Sequence, residues 1–219
     1  MPLQSILSEC TKYAQANKHK KWKNMISQNV GIGILLMLII VIWNYEPCAA
    51  NRHVHWAQPI AIDGVPNLHK VSDDLYRSAQ PTAEGMRNLK KMGIETIVNL
   101  RSFHSDKDEI GQTGLGYEHI YMKAWHPEEE DIVRFLQIVT NKKRTPVLIH
   151  CQHGADRTGT MCAVYRIAIQ GWTKKEALEE MTKGGFGFHG VWKNLTHWIN
   201  DLDIEKIRKA AGNTEIKEH

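Results

Sequence analysis

The residues of this 219-residue chain best placed to do chemistry are His150 to Gly159, which read H-C-Q-H-G-A-D-R-T-G. They follow an apolar run, Val147-Leu148-Ile149, that predicts a short buried strand ending at His150. A tight turn at Gly154 and a helix starting near Thr158 should follow. Cys151 then lies where several backbone N–H groups converge, which is an anion cradle. A thiol attacks only as thiolate, and N–H donors, a helix N-terminus and the guanidinium of Arg157 all favour that form. Arg157 can grip two phosphate oxygens at once and stabilise charge in the transition state. Gly154 lets the backbone turn without a Cβ in the way. Thr158 offers a hydroxyl to bond the thiolate or help it leave. Gln152, His153, Gly154, Ala155, Thr158 and Gly159 are therefore the expected walls of a phosphate site. A Cys after a buried strand is often only a small hydrophobe. What makes this stretch specific is the full pattern in its strand-turn-helix context.

The stretch resembles the phosphate-binding loop of the cysteine-dependent protein tyrosine and dual-specificity phosphatases, whose pattern is H-C-x-x-G-x-x-R-[ST]-G. Residues 75–81, L-Y-R-S-A-Q-P, and 93–101, G-I-E-T-I-V-N-L-R, resemble the entry strands of the compact, atypical dual-specificity group of plants, fungi and bacteria. The similarity spans roughly residues 60 to 205. It implies a phosphomonoester hydrolase with a cysteinyl-phosphate intermediate and no metal or other cofactor. The implied substrates are phosphotyrosine or phosphoserine proteins, with inositol phosphates or phosphoinositides as the alternative. By the same resemblance His150 supports the loop rather than reacting, and His153 points toward the pocket mouth, where it could touch substrate.

The proton donor for the leaving group departs from the family pattern. Most relatives carry an Asp on a mobile loop upstream of the cysteine, and matching Pro127 and the helix after it puts Ala124 near that position. Trp125, His126 and Glu128 stand beside it. The loop also resembles that of the myotubularin lipid phosphatases, in which the Asp before the Arg has been assigned the acid role. That resemblance ranks Asp156 first, then His126, then Glu128 or Glu129. Against it, Asp156 could simply orient Arg157 or the loop as an ion pair. Glu128 to Glu130 also suit the solvated start of a helix. Arg101, at a strand end, and His189, in a glycine- and aromatic-rich segment, are further candidates to line the pocket.

The elements that must position these groups read as alternating strands and helices. They predict an α/β fold with a central, mostly parallel sheet flanked by helices. Strands are expected at 75–77, 94–100, 117–122 and 147–150. Helices should start after Thr82 and near Glu128, continue from Thr158 to Gln170 and from Thr173 to Lys183, and close the domain through Trp192, Leu195, Trp198, Ile199 and Leu202. Residues 101–116 read as a loop. The expected organisation is a basic segment at 1–29, a signal-anchor or signal-peptide helix at 30–45, a linker at 46–70, the phosphatase domain at 71–205 and a polar tail at 206–219.

Val30 to Trp43 is free of charge, with lysines before it and none just after, which predicts a cytoplasmic N-terminus and an exported domain. The domain would be membrane-anchored through residues 30–45 if uncleaved, and secreted or periplasmic, in a Gram-negative cell, if cleaved. The net charge of +4 resides in the lysines of residues 1–24, and the remainder balances 23 Lys and Arg against 23 Asp and Glu. A neutral domain lacks the basic face of a nucleic-acid binder. The four cysteines show no disulfide or zinc spacing, so no metal ligands are assigned. Two other readings remain at this point. One is a phospho-ligand binding module, against which intact Cys151 and Arg157 argue. The other is rhodanese-like or arsenate chemistry, whose loops lack the R-T-G exit.

Overall fold

The computed structural model describes residues 53–212. The basic segment, the expected anchor at 30–45 and residues 213–219 lie outside the described residues. Among those described, no helix is long and apolar enough to cross a membrane.

Six strands form one mixed sheet: β1 (Gln58–Pro59), β2 (His69–Lys70), β3 (Leu75–Ser78), β4 (Thr96–Asn99), β5 (Gly116–His119) and β6 (Val147–His150), in the order β1-β2-β3-β6-β4-β5. The last four neighbours, β3, β6, β4 and β5, run parallel, while β1 and β2 are antiparallel. A mostly parallel sheet was expected. The two antiparallel strands that make it mixed come from the stretch read as a linker. That stretch folds because Ala57, Val65 and Leu68 are buried and Ile60 N–H bonds the Leu68 carbonyl at 2.9 Å.

The helices are α1 (Ala83–Met92), α2 (Lys107–Ile110), α3 (Glu129–Thr140), α4 (Asp156–Gln170), α5 (Lys174–Lys183), α6 (Lys193–Asp201) and α7 (Ile204–Ala210), with a 3-10 turn at Gly190–Trp192. Alternation along the strands divides them between the two faces. Ile97 and Leu148 join Met86, Leu89 and Ile110 from α1 and α2. Leu75, Val98, Val147 and Ile149 join Ile132, Phe135, Met161, Ala177, Leu195 and Ile207 from the remaining helices. All four residues of β6 are buried, which is why its sequence runs apolar without a break. Its C-terminal end delivers His150 and Cys151 to the edge of the core.

Local signals set several helix ends. The Thr82 hydroxyl accepts from Gly85 N–H, and Gly93, at φ 97°, closes α1. Thr173 and Glu176 form the expected capping box on α5. Three expectations shift. Helix α4 begins at Asp156 rather than Thr158. The final helix is broken into the 3-10 turn, α6 and α7. Residues 206–210, read as polar tail, are helical because Ile207 is buried and Arg208 donates to the Ala168 and Ile167 carbonyls, each at 2.8 Å.

A buried ion pair ties the N-terminal strands to the helices. Arg166 donates from Nε and Nη2 to the two carboxylate oxygens of Glu180, both at 2.7 Å, and from Nη2 to the His55 carbonyl at 3.2 Å. Glu180 also accepts from Ala57 N–H at 2.6 Å. Removing one partner strands a buried charge. Glu180→Ala is therefore expected to cost about 3–5 kcal/mol of stability, read as a lowered urea midpoint.

Candidate active site

Residues 150–159 form the turn between β6 and α4. Gly154 sits at φ +69°, and a Cβ there would meet Ser78 O at 2.4 Å and Ala79 N at 2.5 Å, so the turn packs against the end of β3 as only glycine permits. Gly159 N–H bonds the Ala155 carbonyl at 2.8 Å and starts the helical ladder. The N–H groups before it are the helix-start donors that an anion would take. Cys151 is 3 % exposed, at the mouth of this turn. Thr158 is fully buried, and its hydroxyl has no hydrogen-bond partner among the described residues. The other buried thiol, Cys162, is pushed up to about 11 by desolvation, as befits a packing residue in α4.

Two buried groups that the sequence did not reveal hold this turn. Arg77 of β3 is 1 % exposed, donates from Nη2 to the Gly154 carbonyl at 2.8 Å and lies 3.7 Å over the Phe186 ring. Asp106, fully buried in the segment read as a plain loop, accepts from His150 Nε2 at 2.6 Å. This bond gives His150 the supporting role the resemblance implied. Asp106 also accepts from Gln80 and Asn99, at 2.9 and 3.1 Å. His104 and Glu109 bring ligand atoms close to Asp106, all within 4.8 Å of one another. Both Asp106 oxygens are already engaged, so the cluster serves as loop support.

Burial alone would push the Asp106 carboxyl up, but the bonds from His150 and Gln80 and the charges of His150 and His104 together hold it below its ordinary value. A depressed native value contributes stability that is full above the unfolded value and lost as pH falls through the native one. Asp106→Asn is thus expected to lower stability at neutral pH and to flatten the loss below about pH 4, as measured by denaturant midpoints across pH.

The same network carries the loop after β4 to the mouth. Arg101 N–H bonds Asn99 Oδ1 at 2.7 Å, the Arg101 carbonyl bonds His119 Nε2 at 2.6 Å, and Arg101 Nη1 donates to Gln80 Oε1 at 3.0 Å. Arg157 donates from Nη1 to the Leu100 carbonyl at 3.1 Å. It shares a cleft of about 210 Å³ with Arg101, Ser102, Phe103, Ala124, Trp125, Gln152 and Trp192. Phe103 is 94 % and Trp125 61 % exposed, so the cleft combines solvent-exposed aromatic side chains with the guanidinium groups of Arg101 and Arg157. Asn194 Nδ2 pins the Ala124 carbonyl at 2.8 Å and fixes that wall.

Several expected site residues fall elsewhere. His126 is not among the residues lining the cleft; its side chain is largely solvated, with Nε2 3.9 Å from Glu128. Glu128 is the N-cap position of α3, and Glu129 pairs with Lys206 at 2.7 Å, as the helix-start reading has it. Asp156 is buried and bonded to His189, not to Arg157. Gly159 spends its N–H inside the helix, and a Cβ there would meet Met181 Cγ at 3.1 Å, so it serves packing rather than phosphate. Gln152 and His153 are exposed at the rim, while Ala155 is buried in the turn.

A cysteine and an arginine on one turn, between a central parallel strand and a buried helix, define a cysteine-dependent phosphatase of the tyrosine and dual-specificity type. Residues 62–194 match the family described as DSP-PTPase phosphatase fused to NAD+ kinase, and the chain belongs to that family. The dual specificity protein phosphatase TpbA of Pseudomonas aeruginosa strain UCBPP-PA14 is 36% identical over 170 residues, covering 76% of each chain. A crystal structure of P. aeruginosa TpbA has a TM-score of 0.67 at 32% identity, over 74% of this chain and 99% of that one. Inositol diphosphatase DSP5 of Arabidopsis thaliana is 26% identical over 155 residues, 66% of this chain and 74% of the relative.

Proposed function

We propose that the chain hydrolyses phosphotyrosine in proteins through a cysteinyl-phosphate intermediate. The observation that carries this reading is the aromatic cleft of Phe103, Trp125 and Trp192 above Arg157. A phenyl ring would find aromatic side chains to stack on while its phosphate meets the turn. Among the cleft residues only Arg101 and Arg157 are cationic. That is a small complement for a ring bearing many phosphates, so the inositol phosphate reading ranks second. Support also comes from the TpbA crystal structure in complex with phosphotyrosine, which has a TM-score of 0.66 at 32% identity, over 74% of this chain and 99% of that one.

Cys151 attacks phosphorus in line with the departing oxygen, and the turn's N–H groups with Arg157 hold the three remaining oxygens. To do so, the guanidinium exchanges its bond to the Leu100 carbonyl for the phosphate. Water then displaces the thiolate, and the unpartnered Thr158 hydroxyl is the group we assign to bond the sulfur as it leaves. The test is phosphate release by the full-length protein, in chelator, from a phosphotyrosine peptide, a phosphoserine peptide and inositol hexakisphosphate. Turnover led by the phosphotyrosine peptide supports the reading. Preference for inositol hexakisphosphate replaces it with the second, and capture without turnover replaces it with a binding module. We further place the domain outside the cytoplasm, on the strength of the lysines before residues 30–45; an alkaline phosphatase fusion after residue 50 should be active in cells, and an inactive fusion refutes the placement.

A further inference from the structure

A tyrosine phenol has a pKa of about 10, so it leaves slowly from phosphorus unless a proton arrives with it. The cleft lining contains no carboxylate and no imidazole, and Ala124 occupies the position matched to the family's acid. Apart from Arg77 and the His150–Asp106 pair that hold the turn, the ionisable groups beside it are Asp156, His153 and His189, which stand next to that lining rather than in it. Asp156 is 7 % exposed and both of its oxygens accept hydrogen bonds from one residue: Oδ1 from His189 N–H and Oδ2 from His189 Nδ1, each at 2.8 Å. The carboxylate is an acceptor that fixes both the main chain and the ring of His189. With Nδ1–H given to Asp156, Nε2 is left as the outer nitrogen of a half-exposed side chain. The ring stands beside that of His153 on the turn, with centroids 5.5 Å apart. Asn67 fastens the two segments a second time, donating from Nδ2 to the His153 and Phe186 carbonyls, each at 3.0 Å.

We propose that His189 donates the proton to the leaving oxygen and that Asp156 is its positioning partner. This rests on the cysteinyl-phosphate reading above. In the first half-reaction the S–P bond forms as the P–O bond to the phenol breaks, and the Nε2 proton of the imidazolium goes to that oxygen. In the second, a water oxygen bonds phosphorus as the S–P bond breaks, neutral His189 takes the water's proton, and Cys151 returns to thiolate as phosphate departs. Asp156 supplies the countercharge of the imidazolium and holds its ring in place. The pair has the form of an imidazole oriented by a buried carboxylate.

The experiment compares kcat of the full-length protein on a phosphotyrosine peptide and on a dinitrophenyl phosphate, whose leaving group departs without a proton. His189→Asn keeps a side-chain N–H for Asp156 but has no proton to give. It should lose about 100-fold or more on phosphotyrosine and keep most turnover of the dinitrophenyl ester. Turnover of that ester also shows that the turn is intact. His189→Gln is the second variant, and Asp156→Asn should show the same selective loss to a smaller degree. An equal loss on both substrates in both His189 variants, or no loss on either, overturns the proposal. Cys151-dependent turnover by wild type with unselective His189 variants removes this inference alone. Absence of Cys151-dependent turnover in wild type removes the underlying reading and this inference with it.

Discussion

The Cys151→Ser variant is expected to lose phosphate release by about 10⁴-fold or more while keeping its unfolding midpoint. Oxygen replaces sulfur in a site that is 3 % exposed, with no change in chain geometry and only a small change in volume. What is lost is the nucleophile. A serine hydroxyl is far less acidic than a thiol, and the donors that favour a thiolate cannot generate an alkoxide near neutral pH. Arg157 and the N–H groups remain, so the variant should still capture a phosphotyrosine peptide. Retention of even a tenth of the wild-type rate would assign the chemistry to another group.

Arg157→Lys is expected to lower kcat by about 10²–10³-fold with a smaller rise in KM. A lysine keeps the charge but not the planar fork that matches two phosphate oxygens. The interaction matters most when charge spreads over the equatorial oxygens in the transition state, so kcat should carry the larger share. The substitution also removes the bond to the Leu100 carbonyl, which ties α4 to the end of β4. Equal stability with lost turnover identifies the guanidinium as a reacting partner; a matching loss of stability would reduce it to a strut.

The turn at residues 150–159 was legible in the sequence because its demands are local. A buried strand, a glycine at positive φ and a helix start leave their marks within ten residues, and Gly154 shows why no other residue would do. The unbroken apolar run of β6 and the capping box at Thr173 are equally local signals. Groups whose partners lie far along the chain left none. Arg77 and Gly154 are 77 positions apart, and Asp106 and His150 are 44 apart, so only the sheet order brings them together. Asn99, fully buried at the end of an apolar strand, was the one hint that a polar network waits there.

The assignment of Asp156 shows the same limit. Its position before Arg157 suggested chemistry or a pair with that arginine, whereas its partner is His189, on the loop before the 3-10 turn. Short strands were the other blind spot. β1 and β2 have two residues each, too few for a periodic pattern, and they join the sheet through antiparallel pairing of β2 with β3 and of β1 with β2, and through the Arg166–Glu180 anchor. The cleft walls likewise come from three separate loops, at Phe103, Trp125 and Trp192, whose convergence depends on the full set of crossovers.

The central claim is covalent chemistry at Cys151, and it is tested by mixing the full-length protein with a phosphotyrosine peptide, quenching in acid within the first turnovers and weighing the peptide that contains Cys151. The expected result is one phosphoryl group on Cys151 that appears with the substrate, decays as phosphate is released and is absent from Cys151→Ser. Steady turnover with Cys151 unmodified at every quench time, or with the phosphoryl group on another residue, would contradict the account.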